Sequence, residues 1–262
     1  MIIHRQLLAL RFRYGAIISS MEPIGVSPSC PAPVVAIDGP VASGKSSVGK
    51  AAARIIGLRF LDTGIMYRAV TWLALHRGIA ATDAGAVAEL AARCRMELAP
   101  DDDKDTIILV DGRPLRDELV TAEVDSNVSA VSAVSAVRVE LVKQQREIAR
   151  SEGIVMAGRD IGSVVLPEAN LKLYIDAAPQ ERARRRHAQI VLTDPEVPYD
   201  QVLADTLRRD RMDMERADSP LVAAADAVVI RTDEMDFDQT VSAVVKAIQS
   251  VASGDRAAGQ HG

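Results

Sequence analysis

A glycine-rich segment ending in lysine and serine is the first part of this sequence whose residue types and spacing could do chemistry. Residues 39–46 read GPVASGKS and fit the pattern G-x-x-x-x-G-K-[S/T] at every fixed position. In such a segment backbone N–H groups converge on phosphate oxygens, Lys45 reaches the β- and γ-phosphates of a nucleotide, and Ser46 offers its hydroxyl to Mg²⁺. A glycine turn before a helix is the alternative without chemistry. We predict that the nucleotide phosphates and Mg²⁺ are held by Gly39, Pro40, Val41, Ala42, Ser43, Gly44, Lys45, Ser46 and Ser47, with Ser46 as the metal ligand.

Nucleotide switches, motor ATPases and small-molecule kinases all use such a loop, so the rest of the chain must separate them. The sequence contains no NKxD motif for reading guanine and no long strand that ends in an Asp-Glu pair. The nearest candidate for a metal-organising acid is Asp176 at the end of LKLYID, which is equally well explained as the end of a buried strand. Lys45 is the predicted catalytic cation in any of these classes.

Four further segments follow the loop in a specific order. They are LDTGIMYR at 61–68, AGRDIG at 157–162, ERARRR at 181–186 and RRDRMDMER at 208–216. Together they resemble bacterial cytidylate kinases, which are nucleoside monophosphate kinases, over about residues 34–250. The resemblance implies phosphoryl transfer from ATP, with Mg²⁺, to CMP or dCMP, giving CDP or dCDP. Another small-molecule P-loop kinase, acting on AMP or UMP, is the first alternative.

A P-loop ATPase that is stimulated by nucleic acid and binds it through ERARRR is the second alternative. The 31 basic and 36 acidic side chains give a formal charge of -5, and aromatic residues make up 3% of the chain. Such a chain lacks both the basic surplus and the aromatic stacking surface that undiscriminating binding of single strands requires. We therefore expect small-molecule partners and no nucleic acid. We also expect a monomer.

The resemblance assigns acceptor-binding roles to three residues of the segment 61–68. Thr63 would form a hydrogen bond near the base, Tyr67 would pack near the sugar, and Arg68 would clamp the acceptor phosphate. Arginine suits this task because its planar fork can bind two phosphate oxygens at once. A helix that begins at Asp62 or Thr63 and carries a surface arginine is the alternative.

Two charged residues, Arg138 and Asp160, match family positions that read the cytosine edge. Cytosine presents an amino donor for a carboxylate, and N3 and O2 acceptors for a guanidinium, so the polarity of this pair suits cytosine. The resemblance also places Ser129 near the sugar and Arg159 on the acceptor phosphate. Without the family context, Ser129 and Arg138 would be explained as a small helix residue and a solvated charge.

The segment ERARRR concentrates arginines in an otherwise acidic chain. By resemblance it belongs to a mobile helical lid, at about residues 181–197, whose arginines neutralise the charge of the transferring phosphoryl group. Arg182 and Arg186 lie four residues apart, on one helix face, and are the two that we expect to act, with Arg185 in reserve. A solvated helix face is the alternative.

The segment RRDRMDMER places Arg209, Asp213 and Arg216 at intervals of four and three residues, which predicts one helix face. By resemblance Arg209 and Asp213 hold the pentose, and Arg216 lies near the base and phosphate. An exposed salt bridge within the helix is the alternative.

One position departs from the family. Two residues before the arginine of GRD, where the family usually carries an acid, this chain has Ala157. If that acid helps to organise Mg²⁺ or water, its role must fall to Asp38 or Asp160, or be dispensed with.

Short β-branched runs alternate with helix-forming sequence. They lie at 34–38, 58–61, 154–156, 171–175 and 227–230. This alternation predicts an α/β three-layer fold whose parallel sheet is covered on both faces.

One stretch breaks that alternation. The runs MELA and TIILV and the turn Asp111-Gly112 predict a small antiparallel insertion. We place it in an acceptor-binding subdomain at about residues 63–145. The valine period of residues 128–137 predicts one helix face that continues to residue 150.

The kinase domain is expected at 34–253, between an extension at 1–33 and a tail at 254–262, both without fixed structure. Pro and Ser cluster at 27–33, and Met21 is an alternative start. The distant cysteines Cys30 and Cys94 favour a reducing compartment, and no apolar run reaches the length of a membrane span. We therefore expect a cytoplasmic protein.

Overall fold

The computed structural model describes residues 32–100, 106–192, 194–216 and 218–253 of the 262-residue chain. Of the predicted extension at 1–33 only Ala32 and Pro33 are described, and the predicted tail at 254–262 lies outside the described residues. The helices and strands, in chain order, are β1 (Val34–Asp38), α1 (Lys45–Ile56), β2 (Arg59–Asp62), α2 (Gly64–His76), α3 (Ala84–Arg93), β3 (Met96–Pro100), β4 (Thr106–Val110), β5 (Arg113–Leu115), α4 (Ala122–Ser132), α5 (Ser135–Arg150), β6 (Ile154–Gly158), β7 (Leu171–Asp176), α6 (Pro179–Ile190), α7 (Tyr199–Met214), β8 (Val228–Arg231) and α8 (Phe237–Ala252).

Five parallel strands form the central sheet in the order β2-β6-β1-β7-β8. All five strands predicted from the sequence are present, with ends that differ by at most two residues. The neighbouring strands β2, β6 and β1 end at Asp62, Gly158 and Asp38. Because parallel strands present their carboxyl ends at one edge, the segments that follow these three strands converge there.

Helices cover both faces of the sheet. On one face the alanine-rich α1 packs with α8, where Ala52, Ala53, Val244 and Ile248 are buried. On the other face α2 packs with the insertion. The predicted α/β three-layer fold is therefore confirmed. Across the described ranges no helix combines the length and apolar character that crossing a bilayer requires.

The predicted insertion is present as an antiparallel sheet of β3, β4 and β5. Helices α4 and α5 follow it, and here the prediction of one continuous helix is wrong, because the chain leaves helical geometry at Val134, whose ψ is 111°. The Ser132 hydroxyl donates to the Ser129 carbonyl oxygen at 3.0 Å, a local bond that competes with continuation of the helix. The break lets two short helices, rather than one long one, border the carboxyl edge of the main sheet.

Candidate active site

The loop between β1 and α1 has the backbone shape that its glycines predict. A Cβ atom at Gly39 would collide with the carbonyl oxygen of Ile175, and φ there is +153°, so only glycine fits. Gly44, at φ +90°, precedes Lys45, the first residue of α1. The Lys45 ammonium donates to the Pro40 carbonyl oxygen at 3.0 Å and so lies over the loop. The N-terminus of α1 faces the same space, which favours anions.

Two cavities open beside this loop and meet at it. The residues that line both cavities are Ala42, Lys45, Ser46, Arg186 and Gln189. The first cavity extends toward α2, α4 and α5, and the second toward the start of α8. Ligands in the two cavities would therefore meet end to end at Lys45 and Arg186.

The structure brings the residues predicted to bind the acceptor into one place. All ten line the first cavity: Thr63, Tyr67, Arg68, Ser129, Arg138, Arg159, Asp160, Arg209, Asp213 and Arg216. Six of the nine predicted loop residues line the second cavity: Ala42, Ser43, Gly44, Lys45, Ser46 and Ser47. Val41 lines the first cavity, whereas Gly39 and Pro40 line neither and shape the loop.

A buried ion pair stands in the first cavity. The Arg138 guanidinium donates to the Asp160 carboxylate, and each residue is 5% exposed. Arg138 also lies over the Tyr67 ring, 5.6 Å from its centroid. Burial works to lower the pKa of Arg138, but Tyr67 and Asp160 outweigh it and hold that pKa above its ordinary value. The cavity thus presents a fixed cation beside a fixed anion.

A second buried carboxylate, Asp38 at the end of β1, fixes the loop that carries this pair. Its two oxygens accept hydrogen bonds from the backbone N–H groups of Ile161 and Gly162, at 2.7 Å each. Burial raises the pKa of Asp38 to about 6, although these two bonds oppose the rise. Asp38 therefore holds Arg159 and Asp160 in place from a neighbouring strand.

Asp213 organises the arginines on the other side of the first cavity. Arg159 donates to it at 2.6 Å, and Arg216 donates to its second carboxylate oxygen. Burial lowers the pKa values of Arg209 and Arg216. Arg209 and Asp213 lie on α7 as predicted, but α7 ends at Met214, so the prediction of one helix face is wrong for Arg216.

The structure corrects the prediction for Arg182. Its side chain is 3% exposed and lines neither cavity. The guanidinium donates to the carbonyl oxygens of Ala177 and Val41, both at 2.9 Å, and to both oxygens of Asp210. A group with this many buried bonds cannot close over a phosphate without losing them. Arg182 instead ties the start of α6 to the phosphate-binding loop and to α7.

Replacing Asp210 by alanine is expected to lower the free energy of unfolding by ~3–5 kcal/mol, because it leaves the buried Arg182 charge without its carboxylate. Asp205 provides a matched control on the same helix, since it pairs with Arg208 at 3.1 Å and both side chains are exposed. Asp205→Ala should change the same quantity by about 1 kcal/mol or less. Urea unfolding of both variants measures the difference, and equal losses would show that the Arg182 pair is not a structural tie.

The remaining arginines of α6 separate into two groups. Arg186 lines both cavities and is in place to contact a phosphate at the junction. Arg184 and Arg185 donate to Glu181 and, chiefly through the Arg184 bond, hold the pKa of Glu181 at about 2. Arg185 also donates to the Thr232 carbonyl oxygen at 2.5 Å. Of the predicted pair, Arg186 alone has the position that the prediction requires.

Both acids proposed to replace the family acid at Ala157 already have partners in the protein. Asp38 accepts two backbone N–H groups, and Asp160 pairs with Arg138. The acid that the sequence interpretation missed is Asp62, which lies directly opposite Ala157 in the register of β2 and β6 and lines the first cavity. Register across strands distant in sequence gives no local sequence signal.

The donor set around the loop fits Mg²⁺ held largely through phosphate and water. Among the described residues, no group of three or more His, Cys, Asp or Glu side chains forms a complete metal cage. Mg²⁺ binds in kinases through one or two protein groups, with phosphate oxygens and water completing the octahedron. The Ser46 hydroxyl, which lines both cavities, and the Asp62 carboxylate, which lines the first, would supply such groups.

The wall of the second cavity includes residues that the sequence interpretation did not select. Met235, Asp236, Phe237 and Thr240 line it opposite the loop. They surround the start of α8, where Asp236 and Gln239 form a capping box. The capping box is visible in the sequence and predicts where this helix starts. The position of the helix start beside α1 follows only from the order of strands in the sheet.

Burial, and secondarily the nearby Arg159, lower the pKa of Lys45 to about 7. Bound phosphates would restore the charged form, so ATP binding at pH 8 should take up about one proton on Lys45. Calorimetry in two buffers of different ionisation enthalpy measures this uptake. Above pH 7 the affinity for ATP should fall as pH rises. A Lys45→Met variant that takes up as many protons as wild type would contradict this assignment.

Phosphoryl transfer needs two phosphate groups aligned end to end, and the meeting of the two cavities at Lys45 offers that alignment. The loop and the parallel sheet define a P-loop fold. The match is specific: the family model described as cytidylate kinase covers residues 35–250, and the chain belongs to the cytidylate kinase family. The family resemblance of the sequence motifs is thereby confirmed.

Curated relatives agree with this family. A cytidylate kinase from Mycolicibacterium paratuberculosis is 48% identical over 79% of this chain and 91% of its own. A bifunctional pantoate ligase/cytidylate kinase from Nostoc sp. is 44% identical over 81% of this chain, and the match spans 40% of that longer protein. Among solved structures, a gluconokinase from Sinorhizobium meliloti matches 85% of this chain and 94% of its own, with 13% identity and a TM-score of 0.44.

Proposed function

We propose that this chain transfers the γ-phosphoryl group of ATP to the phosphate of CMP or dCMP, giving the diphosphate. The single observation that carries the proposal is the buried Arg138–Asp160 pair in the same cavity as Lys45. Its carboxylate suits the amino group of cytosine, and its guanidinium suits N3 and O2. Family membership and the 48% identical cytidylate kinase support the same substrate.

The chemistry needs no covalent intermediate with the protein. The acceptor phosphate is already an anionic nucleophile, so the side chains align the two nucleotides and offset charge. Lys45 and Arg186 stand at the cavity junction for that purpose, and Arg68 and Arg159 line the acceptor side. Mg²⁺, held by Ser46 and the phosphates, would neutralise charge on the transferring group.

Exclusion of water is the second requirement, because water that reaches the cavity junction could attack the γ-phosphate in place of the acceptor and hydrolyse ATP. We propose that the segment of about residues 181–197 acts as the lid. Arg182 and Arg185 hold the first half of α6 to the loop and to Thr232. Closure would therefore keep Arg186 and Gln189 at the junction, where they already lie, and would move the residues that follow them toward the cavities. A cytoplasmic location and a monomeric state belong to the same proposal.

Initial rates with ATP, Mg²⁺ and each of CMP, dCMP, UMP and AMP test the proposal. We expect the two cytosine nucleotides to be the best acceptors. A preference for AMP or UMP would overturn the assignment of Arg138 and Asp160 to cytosine.

A further inference from the structure

Asp125, on the first turn of α4, lies outside the first cavity and contacts arginines that line it. Its carboxylate accepts a hydrogen bond from Arg68 at 2.5 Å and lies 3.8 Å from Arg186. It also acts electrostatically on Arg209, where it offsets part of the lowering of that pKa. Asp125 itself does not line the cavity. One carboxylate thus faces three arginines that come from α2, α6 and α7.

Three other acids line the cavity, and two of them pair with other arginines, whereas Asp62 accepts a hydrogen bond from the Gly64 N–H. Asp213 pairs with Arg159 and Arg216, and Asp160 pairs with Arg138. Asp125 is therefore the carboxylate that offsets the charge of Arg68 and Arg186, two arginines that line this cavity. Without this balance, the junction would attract any multivalent anion in proportion to its charge.

We propose that Asp125 is a specificity-determining residue that restrains the affinity of the first cavity for phosphate groups. With part of the arginine charge offset, a ligand must add contacts to its base and sugar in order to bind well. A nucleoside monophosphate can add them, whereas pyrophosphate cannot. The inference rests on the proposed function, since it takes a nucleoside monophosphate to be the ligand of this cavity.

The position of Arg68 does not depend on Asp125 alone. Arg68 also donates to the Leu119 carbonyl oxygen at 3.0 Å, so it stays at the cavity wall when the carboxylate is removed. The expected effect of neutralising Asp125 is therefore tighter anion binding rather than a displaced arginine. The direction of the change separates the two roles. If Asp125 only held Arg68 in position, its replacement would weaken anion binding.

Glu123 offers a matched control. It is an acid in the same first turn of α4, it is exposed, and it makes no ion pair with the cavity arginines. Glu123→Gln and Asp125→Asn therefore remove the same charge from the same helix end. Asp125→Glu keeps the charge. Asp125→Ser removes it with a smaller side chain, and this variant decides the matter if the asparagine variant does not fold.

The test measures the affinities of CMP and of pyrophosphate by calorimetry, with the second cavity saturated by a non-hydrolysable ATP analogue. For Asp125→Asn and Asp125→Ser we expect pyrophosphate to bind ~5-fold more tightly and CMP ~2-fold more tightly, because an exposed or half-exposed ion pair changes an affinity by up to about fivefold. The KM for CMP should fall without a rise in kcat. Glu123→Gln and Asp125→Glu should stay close to wild type.

Pyrophosphate affinities of Asp125→Asn and Asp125→Ser that equal that of Glu123→Gln, or fall below the wild-type value, would overturn the proposal. Failure of the proposed function has a different signature. In that case wild type would bind no CMP, whatever the effect of Asp125 on pyrophosphate.

Discussion

Replacing Lys45 by methionine is expected to lower kcat/KM for CMP phosphorylation by ~10³-fold or more, because it removes the cation at the junction of the two phosphate groups. Methionine matches the length of the lysine side chain and carries no charge, so the buried position stays filled. The Lys45 side chain is 5% exposed and its charged form is disfavoured in the free protein. Thermal stability should therefore be unchanged or higher, which separates loss of chemistry from loss of fold.

Lys50 supplies the control for this variant. It lies on the same helix, five residues on, and is exposed. Lys50→Met should retain kcat/KM within about twofold, as most surface substitutions change little. If Lys45→Met kept most of the wild-type rate, the loop lysine would have no part in the chemistry.

The second large effect is expected from Asp160→Asn, which should lower the preference for CMP over UMP by ~10- to 100-fold. The asparagine amide offers an N–H donor where cytosine requires an acceptor, and that donor suits O4 of uracil instead. Asparagine keeps an oxygen for Arg138, so part of the buried pairing survives. Ratios of kcat/KM for CMP and UMP measure the effect.

Asp176 is the control for Asp160. It ends a neighbouring strand, β7, and lines neither cavity. Asp176→Asn should therefore leave the nucleotide preference unchanged, and an unchanged kcat with CMP would also remove Asp176 as a candidate metal-organising acid. An unchanged CMP preference in Asp160→Asn would mean that the base is read elsewhere.

The features of the fold that depend on residues close together in the chain were predicted from the sequence. The loop conformation follows from Gly39 and Gly44, and the five strands follow from short β-branched runs between helices. The ten acceptor-side residues were predicted from family motifs, and they line one cavity because the strands that precede three of the segments share one sheet edge. These parts of the site are set by local pattern and by parallel strand order.

The features that were not predicted from the sequence depend chiefly on contacts between residues that are distant along the chain. Arg182 reads as one of four lid arginines, and only its contacts with Asp210 and Val41 show that it is buried and structural. Asp62 reads as a helix start, and strand register alone places it opposite Ala157. The helix break at Val134 was missed because a three-residue valine period does not reveal where the backbone stops being helical.

The most direct measurement follows the γ-phosphoryl group itself. The protein is mixed with γ-labelled ATP, Mg²⁺ and CMP, and the label is traced to CDP or to inorganic phosphate. The structure predicts that label reaches CDP much faster than it is released as inorganic phosphate. When CMP is omitted, we expect only slow release of inorganic phosphate. Label that appears only in inorganic phosphate, at the same rate with and without CMP, would contradict an acceptor nucleotide in the first cavity.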